Sequence, residues 1–506
     1  MRYGFVIDQD RCIGCHACTV ACKEEHQVPV GVFRTWVKYV EKGEFPHTSR
    51  HFGVMRCNHC DSAPCIEICP THALYRRSDG IVDFDNRRCI GCKGCMQACP
   101  YDALYIDPNN NTAAKCNFCA HRVENNLEPA CVIVCPTQAI VAGDLDNPAS
   151  KASRMVATEK VSVRKPQKGT QPKLYYVGIE GDLLEPTRLS RQNSYMFAEQ
   201  RDDRPATANF DPAVTREVYD VAHPTPWGWK ISTYLWTKSI SAGVLLAVGL
   251  VSSAFQRAGD LGAIGSLRNL NIIGPAIALV ALAITMGLLV LDLKRPDRFF
   301  YLLIKPNFRS WLVLGSFVLM AYGMAATAWL LSGKFLEHVN SALKWTTWIL
   351  GLAAAGYSAF LFAQAKGRDL WQSSMFLFHL LVQALVAGMA IVVLISNSNY
   401  DVNWVASEWL AVCLVLNLGM VLAEVLVPHG SEDARLAIRT LVRGKWSLSF
   451  WLLAVGAGMV LPIILIYFRP EYLGQRIYAL TAVLALAGLW FWEDLWVKAG
   501  QEVPLS

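Results

Sequence analysis

The chain has 506 residues, 53% of them hydrophobic and 17% charged, with 17 cysteines and a formal net charge of +6. Soluble domains average about 25% charged residues, so this composition excludes a disordered chain and points to a membrane. The balance of 47 basic against 41 acidic residues is too even for a nucleic-acid reader, and no nucleic-acid partner is expected.

Sixteen of the cysteines lie between Cys12 and Cys135; the last is Cys413. Met1 to Asp10 has no apolar h-region, so the cysteines read as a metal module rather than a secreted disulfide framework. They form four groups of four: Cys12-x2-Cys15-x2-Cys18-x3-Cys22, Cys57-x2-Cys60-x4-Cys65-x3-Cys69, Cys89-x2-Cys92-x2-Cys95-x3-Cys99, and Cys116-x2-Cys119-x11-Cys131-x3-Cys135. The first and third have the bacterial ferredoxin spacing for a [4Fe–4S] cluster. Three thiolates in one tight loop reach three corners of a cubane, and the fourth starts a helix that leads to a neighbouring cluster. Structural zinc sites use paired cysteines instead, so four [4Fe–4S] clusters are expected. His16, His59 and His121 lie in or beside these loops and read as hydrogen-bond donors rather than ligands.

The order of the groups, with insertions in the second and fourth, resembles the four-cluster electron-transfer subunit of molybdopterin oxidoreductases of the dimethyl-sulfoxide-reductase type. It covers about residues 1–145 and implies an α+β double dicluster-ferredoxin domain. It also implies crossed ligation. Cys12, Cys15, Cys18 and Cys135 would hold one cluster, and Cys22, Cys116, Cys119 and Cys131 a second. Cys57, Cys60, Cys65 and Cys99 would hold a third, and Cys69, Cys89, Cys92 and Cys95 the fourth.

Residues 146–224 are rich in Pro, Lys, Arg and Ser and lack periodicity. They predict an extended linker, with one short strand in Lys173 to Gly178. From 225 to 506 the chain predicts an all-α bundle of eight transmembrane helices, at about 231–254, 271–292, 310–331, 343–363, 372–395, 405–427, 447–467 and 475–492. Each run is near the roughly 20 residues that span a bilayer. Trp227, Trp229, Trp311, Trp371, Trp404 and Trp446 mark their ends, as in interfacial belts. Eight spans place both termini on one side. Loops on that side, among them Lys294, Arg295, Arg298, Arg368, Arg435 and Arg439, carry twice the Lys and Arg of the opposite loops, which include Arg257, Lys334 and Arg469. The positive-inside rule then puts the iron–sulfur domain in the cytoplasm, at the inner membrane. Residues that dock the N-terminal domain would not count toward this bias.

After residue 230 the histidines are His338, His379 and His429, and His379 alone lies within a span. A bis-histidine haem needs two facing ligands, so no haem is expected. Three segments instead resemble the haem-free, eight-helix anchor of the polysulfide-reductase (NrfD-like) type, over about 225–495. They are Trp227-Gly-Trp-Lys-Ile-Ser-Thr-Tyr-Leu-Trp236, Asp292-Leu-Lys-Arg-Pro-Asp-Arg-Phe299 with Lys294 in place of a family glycine, and Gly367-Arg-Asp-Leu-Trp371. In that family a histidine near the first helix serves the quinone; here His223 lies just before it.

Intramembrane ionisable residues are functional candidates by default. Lys238 lies eight residues past Lys230 and His379 eight past Trp371, each about 12 Å deep at 1.5 Å per residue. Asp292 and Glu424 end helices near the same face. These four are the expected proton-handling residues of a quinone site on the cluster side. Trp229, Tyr234, Lys238 and His379 are the expected quinone contacts, Tyr234 lying one turn before Lys238. The reading is an electron-transfer and quinone-reactive subunit. It would pass electrons between a catalytic molybdopterin subunit and the pool of menaquinone or ubiquinone, with proton uptake. A cluster-driven proton or ion translocator without quinone chemistry, and a passive membrane anchor for a ferredoxin module, are the alternatives.

Overall fold

The computed structural model describes residues 1–44, 46–191, 215–258, 264–336, 339–396, 399–427, 429–468 and 476–506. Residues 192–214 of the expected linker, His338 and Arg469 lie outside the described residues, as does the side chain of Arg257.

Tyr3–Asp8 buries Phe5, Val6 and Ile7 in succession, the pattern of a strand covered on both faces. It pairs antiparallel with Ile140–Asp144 and parallel with Leu174–Val177, whose other edge holds Val161–Ser162. A second sheet is built on the hairpin of Thr35–Glu44 and His47–Arg56. Two small hairpins, Leu74–Arg76 with Val82–Phe84 and Leu104–Asp107 with Thr112–Lys115, brace the cysteine loops. Short helices follow those loops at Ala17–His26, Pro64–Ile68, Gly94–Ala98, Ala120–Val123 and Ala130–Ile133. Cysteine side chains share one core with Phe5, Ile68, Tyr101, Phe118 and Tyr176. This half is the expected α+β ferredoxin-like region.

The described residues of the segment expected to be an extended linker carry several short helices and strands. Ser150 caps the helix Lys151–Thr158 by accepting from the Ser153 amide at 3.0 Å. Leu174–Val177 fills the first sheet. Arg216–Tyr219 joins the second sheet against Thr35–Glu44, with Ser190–Arg191 on its edge. These strands are two to four residues long, too short to show a period, and their partners are remote in sequence.

Eight helices are long and apolar enough to cross a membrane: Trp229–Phe255, Leu267–Asp292, Trp311–Phe335, Ser341–Ala363, Phe376–Ile395, Tyr400–Leu426, Ser449–Phe468 and Arg476–Glu502. Small residues let them pack closely. A Cβ on Gly243 of the first helix or Gly388 of the fifth would collide with the other helix's main chain, and Gly458 and Gly488 join the seventh and eighth likewise. The seventh begins with π-type bonding over Ser449–Val460, closed by the Leu461 amide on the Gly456 carbonyl.

The eighth helix runs ten residues past its expected end. Its last turns, with Trp492, Glu493, Trp496 and Gln501, are buried by protein, so their polarity does not end the helix. Trp227 and Trp371 are also buried and stack at 5.4 Å. They belong to a core at the junction of the two halves rather than to an interfacial belt.

Hydrogen bonds from both backbone and side chains join the halves. The Lys294 and Arg295 amides donate to the Gly91 and Ile90 carbonyls at 3.2 and 3.1 Å. Arg298 donates to the Asn86 and Cys89 carbonyls, and Asn307 to the Cys69 carbonyl at 2.7 Å. Arg368 donates to Gln97 Oε1 at 2.8 Å and the Val503 carbonyl at 2.9 Å. Several basic residues of the charge bias thus dock the cysteine domain, and the bias that remains for orientation rests on residues such as Arg435, Arg439 and Arg443.

Candidate cluster loops and a membrane pocket at Cys92

None of the sixteen N-terminal cysteines forms a disulfide, and their electrostatic neighbours sort them into four sets. Burial raises the Cys12 thiol pKa, the Gly14 amide opposes it, and Cys135 and Cys15 raise it further. Burial raises Cys22, and Cys116, Cys131 and Cys119 add to this against the Arg56 guanidinium. Cys65 is raised by burial and then by Cys99, Cys57 and Cys60, against Lys115. Cys95 is raised by burial and then by Cys92, Cys89 and Cys69. The sets also touch in sequence: Cys18 neighbours Cys131, Cys116 neighbours Cys57, and Cys95 neighbours Cys65. They therefore form a row. One end holds Cys15, the exposed member; the other holds Cys92, against the membrane half.

The first and third loops have the same backbone. Gly14 and Gly91 both sit at φ +70°, and His16 and Lys93, each following a cysteine, are left-handed at φ 58° and 62°. Such non-glycine conformations concentrate at functional sites. A Cβ at Gly14 would strike the Phe52 ring at 2.5 Å, and one at Gly91 the Lys294 side chain at 2.5 Å. Amides already face sulfur: Gly91 and Ala113 donate to Cys89 Sγ at 3.4 and 3.3 Å, and Ala139 to Cys135 Sγ at 3.2 Å. An all-thiol donor set, four to a site and backed by N–H groups, fits [4Fe–4S] clusters.

His16 packs on Tyr39 and Tyr219, His59 accepts the Val82 amide at its Nδ1, and His121 pairs with Glu25. None of the three has a sulfur partner among the described residues. His26 does, with Nε2 3.1 Å from Cys119 Sγ. Burial, with Arg34 nearby, lowers the His26 pKa to about 4, so the ring is neutral. Sequence reasoning passed over it because it lies outside every cysteine group.

A largely apolar cavity lies beside Cys92, walled by Trp227, Tyr234, Asp292, Tyr357 and Leu361 among others. Trp227 reaches the Cys92 carbonyl with its indole N–H at 3.4 Å. Asp292 is held by Lys93 at 2.8 Å. Lys93 in turn lines a larger and more polar cleft with Asp102, His223 and Lys294. The Lys93–Asp292 pair is therefore the partition between that cleft and the apolar cavity.

Of the expected quinone contacts Tyr234 lines the cavity, and of the expected proton-handling residues Asp292 does. Lys238 lies one step behind: its ammonium donates to the Ala355 carbonyl at 2.7 Å and Ser358 Oγ at 2.9 Å, and the Tyr234 hydroxyl reaches the same Oγ at 3.4 Å. Trp229 is 58% exposed and outside the cavity; the neighbouring Trp227 takes the place expected of it. His379 is buried against the Trp492 ring at 5.0 Å, and Glu424 accepts from Ser373 at 3.2 Å; neither lines the cavity. Depth along a helix predicted their level but not the side they face.

Glu493 was missed. It is buried, accepts weakly from Ser239 at 3.4 Å, and lies within electrostatic reach of Lys238. The signal was the Glu493-Asp494 pair interrupting an apolar run, which read as the helix end.

Four thiol sets in an α+β domain, docked on an eight-helix bundle, define a membrane-bound iron–sulfur protein. A family model described as 4Fe-4S dicluster domain matches residues 49–145, and a 4Fe-4S binding domain matches 3–24. The model described as Polysulphide reductase, NrfD matches 217–503, more than half of the sequence, and the protein belongs to that family, here fused to an iron–sulfur domain. The N-terminal half is 44% identical over 189 residues to the B subunit of the tetrathionate reductase of Salmonella typhimurium, covering 37% of this sequence and 76% of the relative. It is 37% identical over 237 residues to the iron-sulfur B subunit of a putative dimethyl sulfoxide reductase of Halobacterium salinarum, covering 41% and 89%. To the B component of the polysulfide reductase of Wolinella succinogenes it is 41% identical over 179 residues, covering 35% and 94%. Both halves of the resemblance drawn from the sequence are thereby borne out.

Proposed function

We propose that this protein is the electron-transfer and quinone-reactive membrane subunit of a molybdopterin oxidoreductase complex. The observation that carries this reading is the apolar cavity whose wall includes Cys92 on one side and Tyr234 and Asp292 on the other. An isoprenoid quinone suits it: a flat ring with two carbonyl oxygens and an apolar tail.

The crossed ligand sets named from the resemblance are the proposed ones, and the thiol neighbours support them. Bound there, [4Fe–4S] clusters supply one-electron relay between the two ends of the row. The protein's own residues do the rest. Tyr234 offers a hydroxyl to a quinone oxygen, and Asp292 a carboxylate that accepts the O–H of the quinol. Asp292 faces the polar cleft through Lys93, so protons are drawn from the cluster side. Ser358 links Tyr234 to Lys238, a second proton reserve behind the ring. At the far end, Ile13, Val20, Ile133 and Val134 are exposed apolar residues beside the outermost cysteines, a face suited to the catalytic partner. The remaining charge bias supports a cytoplasmic placement of the iron–sulfur domain.

The test uses the purified full-length protein in detergent. It should carry about sixteen irons, and a water-soluble menaquinol analogue should reduce the clusters, or its quinone reoxidise them. Zinc in place of iron, or clusters indifferent to both forms of the analogue, would refute the reading.

A further inference from the structure

One buried cation of the cysteine domain has no part in the proposed function. Arg56 closes the strand His47–Arg56 opposite Thr35 and has no exposed surface. Its Nη1 donates to Cys131 Sγ at 3.1 Å, and its guanidinium lies 4.6 Å from the centre of the Phe5 ring. Nε and Nη2 are buried without a hydrogen-bond partner among the described residues.

A guanidinium keeps its proton, and a buried cation needs an anion. Three buried lysines of the domain have conventional partners. Lys38 faces Glu217 and Asp220, Lys173 faces Asp61, and Lys115 donates to the carbonyls of Val82 and Cys116. No carboxylate pairs with Arg56 among the described residues. Its charged neighbours are Cys131 and Cys116 of the second set and Cys18 of the first.

We infer that Arg56 sets the reduction potential of the two outer clusters, which supply its counter-charge. This inference rests on the proposal that the thiol sets hold [4Fe–4S] clusters. A four-thiolate cubane is anionic, and one electron makes it more so. A fixed cation and an N–H donated to a ligand sulfur both favour the reduced form. The electron comes from the donor, no proton is taken up, and Arg56 is charged before and after. The effect is largest on the set holding Cys131 and smaller on the set holding Cys18. The inner sets, which hold Cys65 and Cys95, are spared.

The experiment is a mediated dithionite titration of the full-length, cluster-loaded protein, followed by electron paramagnetic resonance, for wild type, Arg56→Gln and Arg56→Lys. Arg56→Gln should keep its iron and lose at least tenfold in the equilibrium constant for reducing one cluster, about 59 mV for a one-electron couple. A second cluster should move less, and two should not move. Arg56→Lys should recover most of the loss. Four unchanged midpoints in an iron-replete Arg56→Gln protein overturn the inference. If Arg56→Gln does not retain iron, Arg56→Lys decides. Iron retained with near-native midpoints supports the charge role, and iron lost despite the retained charge overturns it. A wild-type protein without cubane signals would instead remove the cluster reading itself.

Discussion

Lys93, between Cys92 and Cys95, forms an ion pair with Asp292 at the end of the second span, Nζ to Oδ2 at 2.8 Å. The pair fastens the innermost cysteine loop to the wall of the membrane cavity. It also makes Asp292 the one carboxylate shared by the proposed proton route and the proposed quinone site. Asp292→Asn keeps the shape and removes the proton acceptor. Its quinol-linked turnover should fall about 100-fold, in the range of general acid–base effects, with iron content unchanged. Stopped-flow reoxidation of reduced clusters by a quinone analogue measures this.

Filling the cavity should separate quinone binding from cluster chemistry. Leu361 lines it and is buried. Leu361→Trp adds bulk at a cost of about 1–3 kcal/mol from overpacking. Inhibition by quinone analogues and reoxidation by quinone should both be lost, while the cluster midpoints stay where they are. Retained analogue binding in a stable Leu361→Trp protein would place the quinone elsewhere.

Lys238→Met tests the residue behind the ring. It removes the donor to the Ala355 carbonyl and to Ser358. Leaving those groups unsatisfied costs about 1–3 kcal/mol, seen as a lowered unfolding temperature. If Lys238 relays protons, turnover should fall more than quinone affinity does, and a solvent isotope effect should grow. A lowered unfolding temperature with native turnover would leave Lys238 a purely structural lysine.

His223 predicts a pH-dependent junction. Burial lowers its pKa, but hydrogen bonds to Asp102 and Asp220 outweigh burial and raise it to about 9. Its Nδ1 lies 2.6 Å from Asp102 and its Nε2 3.4 Å from Asp220, which also faces Lys38. A free imidazole titrates near 6.5. The stabilisation from imidazolium is therefore complete below about pH 6.5 and lost as pH rises through about 9. The linkage amounts to about 3 kcal/mol. Thermal unfolding of the solubilised protein should weaken between pH 7 and 9.5, and His223→Gln should flatten that slope.

Sidedness has its own test. Protease added to sealed inside-out vesicles should cut the iron–sulfur domain, and protease added to intact spheroplasts should not. The reverse pattern overturns the cytoplasmic placement.

The parts legible from sequence were those written in local spacing. Cysteine loops of fixed length identify themselves, and so do apolar runs long enough to span a bilayer. Leu174–Val177 was legible as a strand but not as the partner of Tyr3–Asp8, because pairing across about 170 residues leaves no local mark. Trp227 and Trp371 looked like membrane-belt residues because an aromatic at a helix end reads the same whether lipid or protein covers it. Glu493 was hidden by the reverse effect: a polar pair that would end a helix in water or lipid continues one buried in protein. Arg56 had no local signature at all, since its meaning comes from thiols of two cysteine groups, the first and the fourth, both remote from it in sequence.

The seam between the halves has one more consequence. Where Cys92 meets the cavity, Gly91 and Ile90 are bound to Lys294 and Arg295 amide to carbonyl, and the residue at 91 must lack a Cβ to come so close. Electron tunnelling decays exponentially with distance, so an ångström gained there costs several-fold in rate. Here the contact is made by polypeptide backbone, so substitutions of the pocket side chains leave it in place, whereas any side chain at Gly91 would open it. If the cavity takes the proposed quinone, its walls are free to vary toward different quinones without loosening this contact.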